Sequence, residues 1–276
     1  MLTIRRGGHQ KTRTFLWHLS RHTTHPPLPS MGRQWLRPRA MSPLVDIHTH
    51  LRHSSADIIE VACLDFCQLH TTHKGDINAI CRTVNERGNS IALGIHPWNT
   101  GSLPPEYTET MRTVVQKCPS IMFIGEAGLD KTRPIDMNQQ EEVFVSQIEL
   151  SEVSGLPMVI HCVKAFDELL RIRKLLSPIQ KWIIHGFRGK PDQARQLLRA
   201  GLDISLGEHF NIEVPRVVPL NHLWVETDMS DKPLLSVYSA ISEAMGIKPE
   251  LLAENIHQRF SELSSKSLPS SMLAPM

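Results

Sequence analysis

The 276-residue chain has few cysteines, few aromatics, no long apolar run and, over its first 45 residues, no Asp or Glu. Its five cysteines (Cys63, Cys67, Cys81, Cys118 and Cys162) form no CxxC pair and are odd in number. That argues against a disulfide framework and against a zinc ribbon, and it points to a reducing compartment, the cytoplasm. No window holds the roughly 18 consecutive apolar residues a membrane helix requires, and the start lacks the apolar segment of a secretory signal, so a soluble protein is expected. GxGxxG and Walker loops are missing too, which leaves a doubly wound open sheet, the alternative α/β architecture, without support. With aromatics at 5%, an extended platform for stacking long single strands is not expected.

What is present suffices for a full-sized core: 41% of the residues are hydrophobic and 21% charged. The charge is unevenly spread. Residues 1–45 carry eight basic side chains (Arg5, Arg6, Lys11, Arg13, Arg21, Arg33, Arg37 and Arg39), leaving 22 basic against 28 acidic residues in the remainder. A broad basic footprint for duplex nucleic acid is therefore not expected on the main body. Residues 1–42, with His25-Pro26-Pro27-Leu28-Pro29 and no sustained periodicity, read as an extension outside the fold. Three accounts fit it: a transit peptide, a basic arm that touches nucleic acid, or sequence upstream of a start at Met31 or Met41. The last is favoured because Met41 directly precedes the first strand. Residues 261–276, rich in Ser, read as a flexible tail.

From Pro43 to residue 260 the chain alternates short apolar runs with helical patterns. The runs fall near 44–48, 58–63, 91–95, 121–125, 157–161, 181–184, 202–206 and 222–227. Helices are expected over 105–118, 137–154 and 191–200, bounded by Pro104, Gly155 and Pro191. Eight β-α units in this length predict a compact (β/α)8 TIM barrel as a single domain.

Polar residues recur where those runs end. In Asp46-Ile47-His48-Thr49-His50 a spacing of two on an extended chain turns both imidazoles to one face, although His-x-His alone is equally two surface histidines in a loop. The other runs lead into Glu126, His161, His185 and Asp228. A barrel gathers strand C-termini on one rim, so His48, His50, Glu126, His161, His185 and Asp228 should meet in one cavity. Burying each alone would be costly unless it is paired or bound to metal. Histidine and carboxylate donors in this number suit two divalent ions (Zn, Mg or Mn), with Glu126 the candidate bridge.

These residues make the chain resemble the TatD family of metal-dependent hydrolases. The resemblance runs through Asp46–Leu51, Gly94-Ile95-His96-Pro97, Ile124–Asp130, Ile160-His161-Cys162, His185–Gly189, Glu226-Thr227-Asp228 and Asn255–Phe260. It implies a first ion held by His48, His50, Glu126 and Asp228, a second held by Glu126, His161 and His185, and hydrolysis of phosphodiesters, DNA being the expected substrate. Asp228 and Glu126 are then the expected catalytic pair: a water activated by the two ions attacks phosphorus while Asp228 accepts or holds its proton. The chain departs from the family pattern at Val163 and Lys164, where an Arg is usual, and at Lys131, where an aromatic is frequent.

His96, Lys164 and Arg188 are the expected substrate contacts, within a rim that also carries Lys131, Arg133, Lys190 and Lys232. Trp98 and Phe187 either stack on bases or roof the cavity. Asp130 is expected to orient a neighbour, and Glu226 is assigned no role. The rival readings are a small-molecule amide, ester or lactone hydrolase with the same ions and a non-catalytic quality-control partner. No membrane association and no obligate protein partner are expected.

Overall fold

The computed structural model describes residues 41–51, 53 and 55–266. The expected extension, but for its last two residues, and positions 267–276 of the expected tail lie outside the described residues. Eight parallel strands form one sheet in sequence order: β1 (Leu44–Thr49), β2 (Ile58–Asp65), β3 (Ile91–Gly94), β4 (Ile121–Asp130), β5 (Met158–Val163), β6 (Trp182–Ile184), β7 (Asp203–Leu206) and β8 (Leu223–Val225). Their near-continuous Val, Ile and Leu content suits a sheet covered on both faces. A parallel bridge between Thr49 and Asp228 closes the ring, so the fold is the expected (β/α)8 barrel.

Helices cover it unevenly. The β2–β3 connection carries α1 (Phe66–Thr72) and α2 (Ile77–Arg87), and single helices α3 (Tyr107–Lys117), α4 (Met137–Ser154), α5 (Phe166–Leu176) and α6 (Pro191–Arg199) follow β3 to β6. Two more, α7 (Leu234–Met245) and α8 (Pro249–Lys266), follow β8. Eight regular strand-helix units are thus not what forms: among the described residues, the β1–β2 and β7–β8 connections contain no α-helix. In the second of these, Pro215 and Pro219 interrupt the chain on either side of the β-branched pair Val217-Val218, and only a 3-10 turn forms at Leu220–His222. The terminal helix runs past the boundary expected at residue 260, to Lys266, and Leu263 beyond that boundary still packs against the core.

The seam between β8 and β1 is joined by backbone only at its upper end. There Asp228 N–H donates to His48 O at 2.9 Å, and His50 N–H donates to Asp228 O at 3.1 Å. Lower down, side chains replace the ladder. The fully buried Tyr238 of α7 accepts from Val45 N–H at 3.2 Å and donates to Val45 O at 2.8 Å. The fully buried Asp46 accepts from Thr227 N–H at 3.0 Å and from Thr227 Oγ1 at 2.5 Å. At the opposite end of the barrel, Arg259 of α8 donates to Leu220 O and Leu223 O at 2.8 and 2.7 Å and lies over the Trp224 ring. The motif around Asn255–Phe260 therefore clamps α8 to β8.

Because Tyr238 alone satisfies both backbone groups of Val45 on the seam side, Tyr238→Phe should lower unfolding free energy by about 1–3 kcal/mol, the cost of leaving buried polar groups unpaired. Urea denaturation with an unchanged m-value is the expected signature, and an unchanged midpoint would show that the seam does not depend on this hydroxyl.

Candidate metal centre

The mouth of the barrel is organised around Glu126. Strand β4 is longer than its apolar run suggested and continues to Asp130, so Glu126 lies inside the strand, 5% exposed, rather than past its end. Glycine permits the close approach this needs. At Gly128 (φ +147°) a Cβ would sit 1.9 Å from His161 O, so only a residue without one lets β5 bring His161 against β4.

The two oxygens of Glu126 face different histidines. Oε2 lies 3.5 Å from His48 Nε2 and 3.6 Å from His50 Nε2. Both of these nitrogens are also 3.7 Å from Asp228 Oδ1. Oε1 lies 2.7 Å from His161 Nδ1, 2.7 Å from His185 Nε2 and 3.2 Å from His96 Nε2. The structure therefore brings His48, His50, Glu126, His161, His185 and Asp228 together, as the spacing of the strand ends implied. Asp228 itself takes the left-handed conformation (φ +55°), which Asp tolerates better than most residues, and this turns its backbone to the seam.

Hydrogen bonds on the far side of two rings decide which nitrogen faces inward. His185 Nδ1 lies 3.4 Å from the fully buried Glu226, whose Oε1 also accepts from Gly186 N–H at 2.6 Å. His161 Nε2 lies 3.3 Å from Asp130, which is held by Trp98 Nε1–H at 2.7 Å and by Thr132. A ring that gives its N–H to a carboxylate keeps the opposite lone pair free, the arrangement that metal-binding histidines favour. His96 is oriented the other way. Its Nδ1 accepts from Trp98 N–H at 3.1 Å, which leaves the proton on Nε2 and makes that nitrogen a donor toward anions rather than a lone-pair donor to a cation. Two buried amides of α4 hold these groups: Gln147 pairs with the backbone of Ile95, and Gln140 with that of Asp130.

Burial alone would raise the pKa of Glu126, but the charge of His185 and hydrogen bonds from His161 and His185 outweigh it and hold the carboxyl well below its usual range. Burial likewise opposes charge on His185, yet Glu126 and Glu226 on either side hold its pKa well above the ordinary imidazole value. A bound cation would replace those protons as the counter-charge. The donor set fits one. His48 is fully buried, and neither ring nitrogen has a hydrogen-bond partner, a costly state for a polar ring unless something binds it. His48 Nε2 and His50 Nε2 each lie 3.5–3.7 Å from Glu126 Oε2 and Asp228 Oδ1, close enough for the four groups to hold one cation.

The other expected residues fare differently. Arg188 is exposed and lines a cavity of about 200 Å³ together with Asp228, Thr227, Phe210 and His209. Lys164 is exposed beyond β5, in the left-handed conformation (φ +54°). The rim is less positive than the sequence suggests, because Lys131 pairs with Glu168 and Lys232 with Glu208, both at 2.6 Å. Phe187 offers no stacking surface: it is buried and packs on Phe166. Trp98 remains exposed, with Arg133 over its ring at 3.6 Å. Glu226, to which the sequence assigned nothing, stands directly behind His185. Its even spacing from Asp228 was the one available signal.

The family model described as TatD related DNase matches residues 45–265. A curated relative, the 3′-5′ ssDNA/RNA exonuclease TatD of Enterobacter lignolyticus, is 32% identical over 148 residues, covering 49% of this chain and 55% of that protein. The chain thus spans about half the length of the curated relatives it matches. Among solved structures, a TatD homolog from Escherichia coli K12 superposes with a TM-score of 0.67 at 18% identity, covering 83% of this chain and 99% of the other. A TatD-family hydrolase from Entamoeba histolytica superposes with a TM-score of 0.66 at 16% identity, covering 81% and 98%. At these identities the two structures speak for the fold.

If Glu226 fixes the ring of His185, Glu226→Gln should weaken divalent-metal affinity by about 10–100-fold while leaving the fold intact. Competition with a metallochromic chelator measures this, and unchanged affinity would reduce Glu226 to a partner of Gly186.

Proposed function

The chain belongs to the TatD-related DNase family, and from that membership we propose that it is a divalent-metal-dependent phosphodiesterase that cleaves DNA with water. The observation that carries this reading is the single buried carboxylate whose two oxygens face separate groups of nitrogen donors. His48, His50, Glu126 and Asp228 would hold one ion, and Glu126, His161 and His185 a second, of the Zn, Mg or Mn class. Such ions supply Lewis-acid stabilisation of phosphoryl oxygens and lower the pKa of water.

The chain's own groups do the rest. Asp228, partly open to solvent at the mouth, is the carboxylate placed to take the proton of the attacking water. His96 Nε2–H donates toward a phosphate oxygen, Arg188 offers a guanidinium fork beside Asp228, and Lys164 adds a point charge farther out. The small cavity and the neutralised lysines of the rim favour the end of a single strand over the side of a duplex. That agrees with the relative named as a single-strand exonuclease. All five cysteines are free, which fits a cytoplasmic setting.

Metal-loaded protein should shorten labelled single-stranded oligonucleotides, and its kcat/KM should fall as salt rises, with a log-log slope of about −0.7 for each phosphate contacted. Turnover of an uncharged ester, indifferent to salt and without cleavage of any oligonucleotide, would replace this reading with that of a small-molecule hydrolase. In the same assay Asp228→Asn should lose about 10²-fold or more in kcat. Wild-type turnover in the metal-replete variant would remove Asp228 from the proton step.

A further inference from the structure

A thiol also lies at the mouth of the barrel. Cys63, on β2, is buried, and its Sγ lies within 4.8 Å of the donor atoms of His48, His50 and Glu126, which are equally close to one another. It is the sole cysteine among the described residues to join such a group, and Cys162, although next to His161, joins none. Beside Cys63, the fully buried His48 has neither ring nitrogen satisfied.

We propose that Cys63 is a thiolate donor, additional to His48, His50, Glu126 and Asp228, to the cation those four residues would hold, and that it biases this site toward a soft divalent ion such as zinc over the harder manganese and magnesium. The sulfur–metal bond forms as the S–H bond breaks, and the proton leaves to solvent; no oxidant or reductant takes part. A thiolate beside two imidazoles is a donor set that favours zinc, whereas carboxylate and water suffice for the harder ions. The inference rests on the reading of this mouth as a metal centre, and cobalt(II) distinguishes the two.

Full-length protein, stripped with a chelator and reloaded with cobalt(II), should show a near-ultraviolet thiolate-to-cobalt charge-transfer band. Cys162→Ser should keep the band. Cys63→Ser should lose it while retaining cobalt by elemental analysis, and its zinc-over-manganese affinity ratio should drop about tenfold. Cobalt-loaded wild-type protein without the band, or Cys63→Ser with it, overturns the thiolate assignment and leaves the metal centre standing. Wild-type protein that binds no cobalt overturns both. Because cobalt-loaded wild-type protein without the band already overturns the assignment, the test survives a Cys63→Ser variant that fails to fold.

Discussion

A carboxylate 5% exposed in the middle of an eight-stranded barrel is a charge withdrawn from water, and the rest of this mouth exists on terms set by it. Glu126 is kept ionised by the imidazoles that crowd both of its oxygens. Those imidazoles must in turn present particular nitrogens inward, which requires Glu226 behind His185 and Asp130 behind His161. Each layer of polar groups is thus justified by the next one in. His48, one of the imidazoles beside Oε2, has no such support: it is buried, and neither ring nitrogen makes a hydrogen bond.

The same economy governs the closure of the barrel. Parallel strands normally satisfy one another along their length, but β1 and β8 meet through backbone only beside the ligand-type residues His48, His50 and Asp228. Below that point a tyrosine hydroxyl and an aspartate carboxylate stand in for missing ladder partners. The seam is held most directly where the donors must keep their spacing. Asp46 and Thr227, adjacent in sequence to that cluster, tie the two strands together from within. Part of the polar character of the motifs at 46–50 and 226–228 therefore serves the scaffold and not the chemistry.

Charge on the rim shows why a list of basic residues overstates a binding surface. Of six cations on loops after strand ends, Lys131 and Lys232 are paired with Glu168 and Glu208, and Arg133 is spread over Trp98. Surface pairs of this kind contribute little to stability, but they do cancel field. What remains is local positive charge, with Arg188 at the cavity beside Asp228.

The sequence by itself determined the eight strands, because burial on both faces demands continuous apolar runs, and it determined which strand ends carry imidazole and carboxylate, because alternation along a strand puts His48 and His50 on one side. Tertiary structure alone decided the rest. Nothing local says that β4 continues five residues past its apolar run, that the β7–β8 connection omits its helix, or that Cys63 of β2 comes close to Glu126 of β4, two strands away. Nor could a motif reveal that Glu226 backs His185 or that His96 turns its N–H inward, since ring orientation is set by the partner on the far nitrogen and that partner comes from another strand or from the fold of a loop. Pattern reports which side of an element a residue occupies; contacts between elements distant in sequence are fixed only when closure of the sheet sets their relative height and angle.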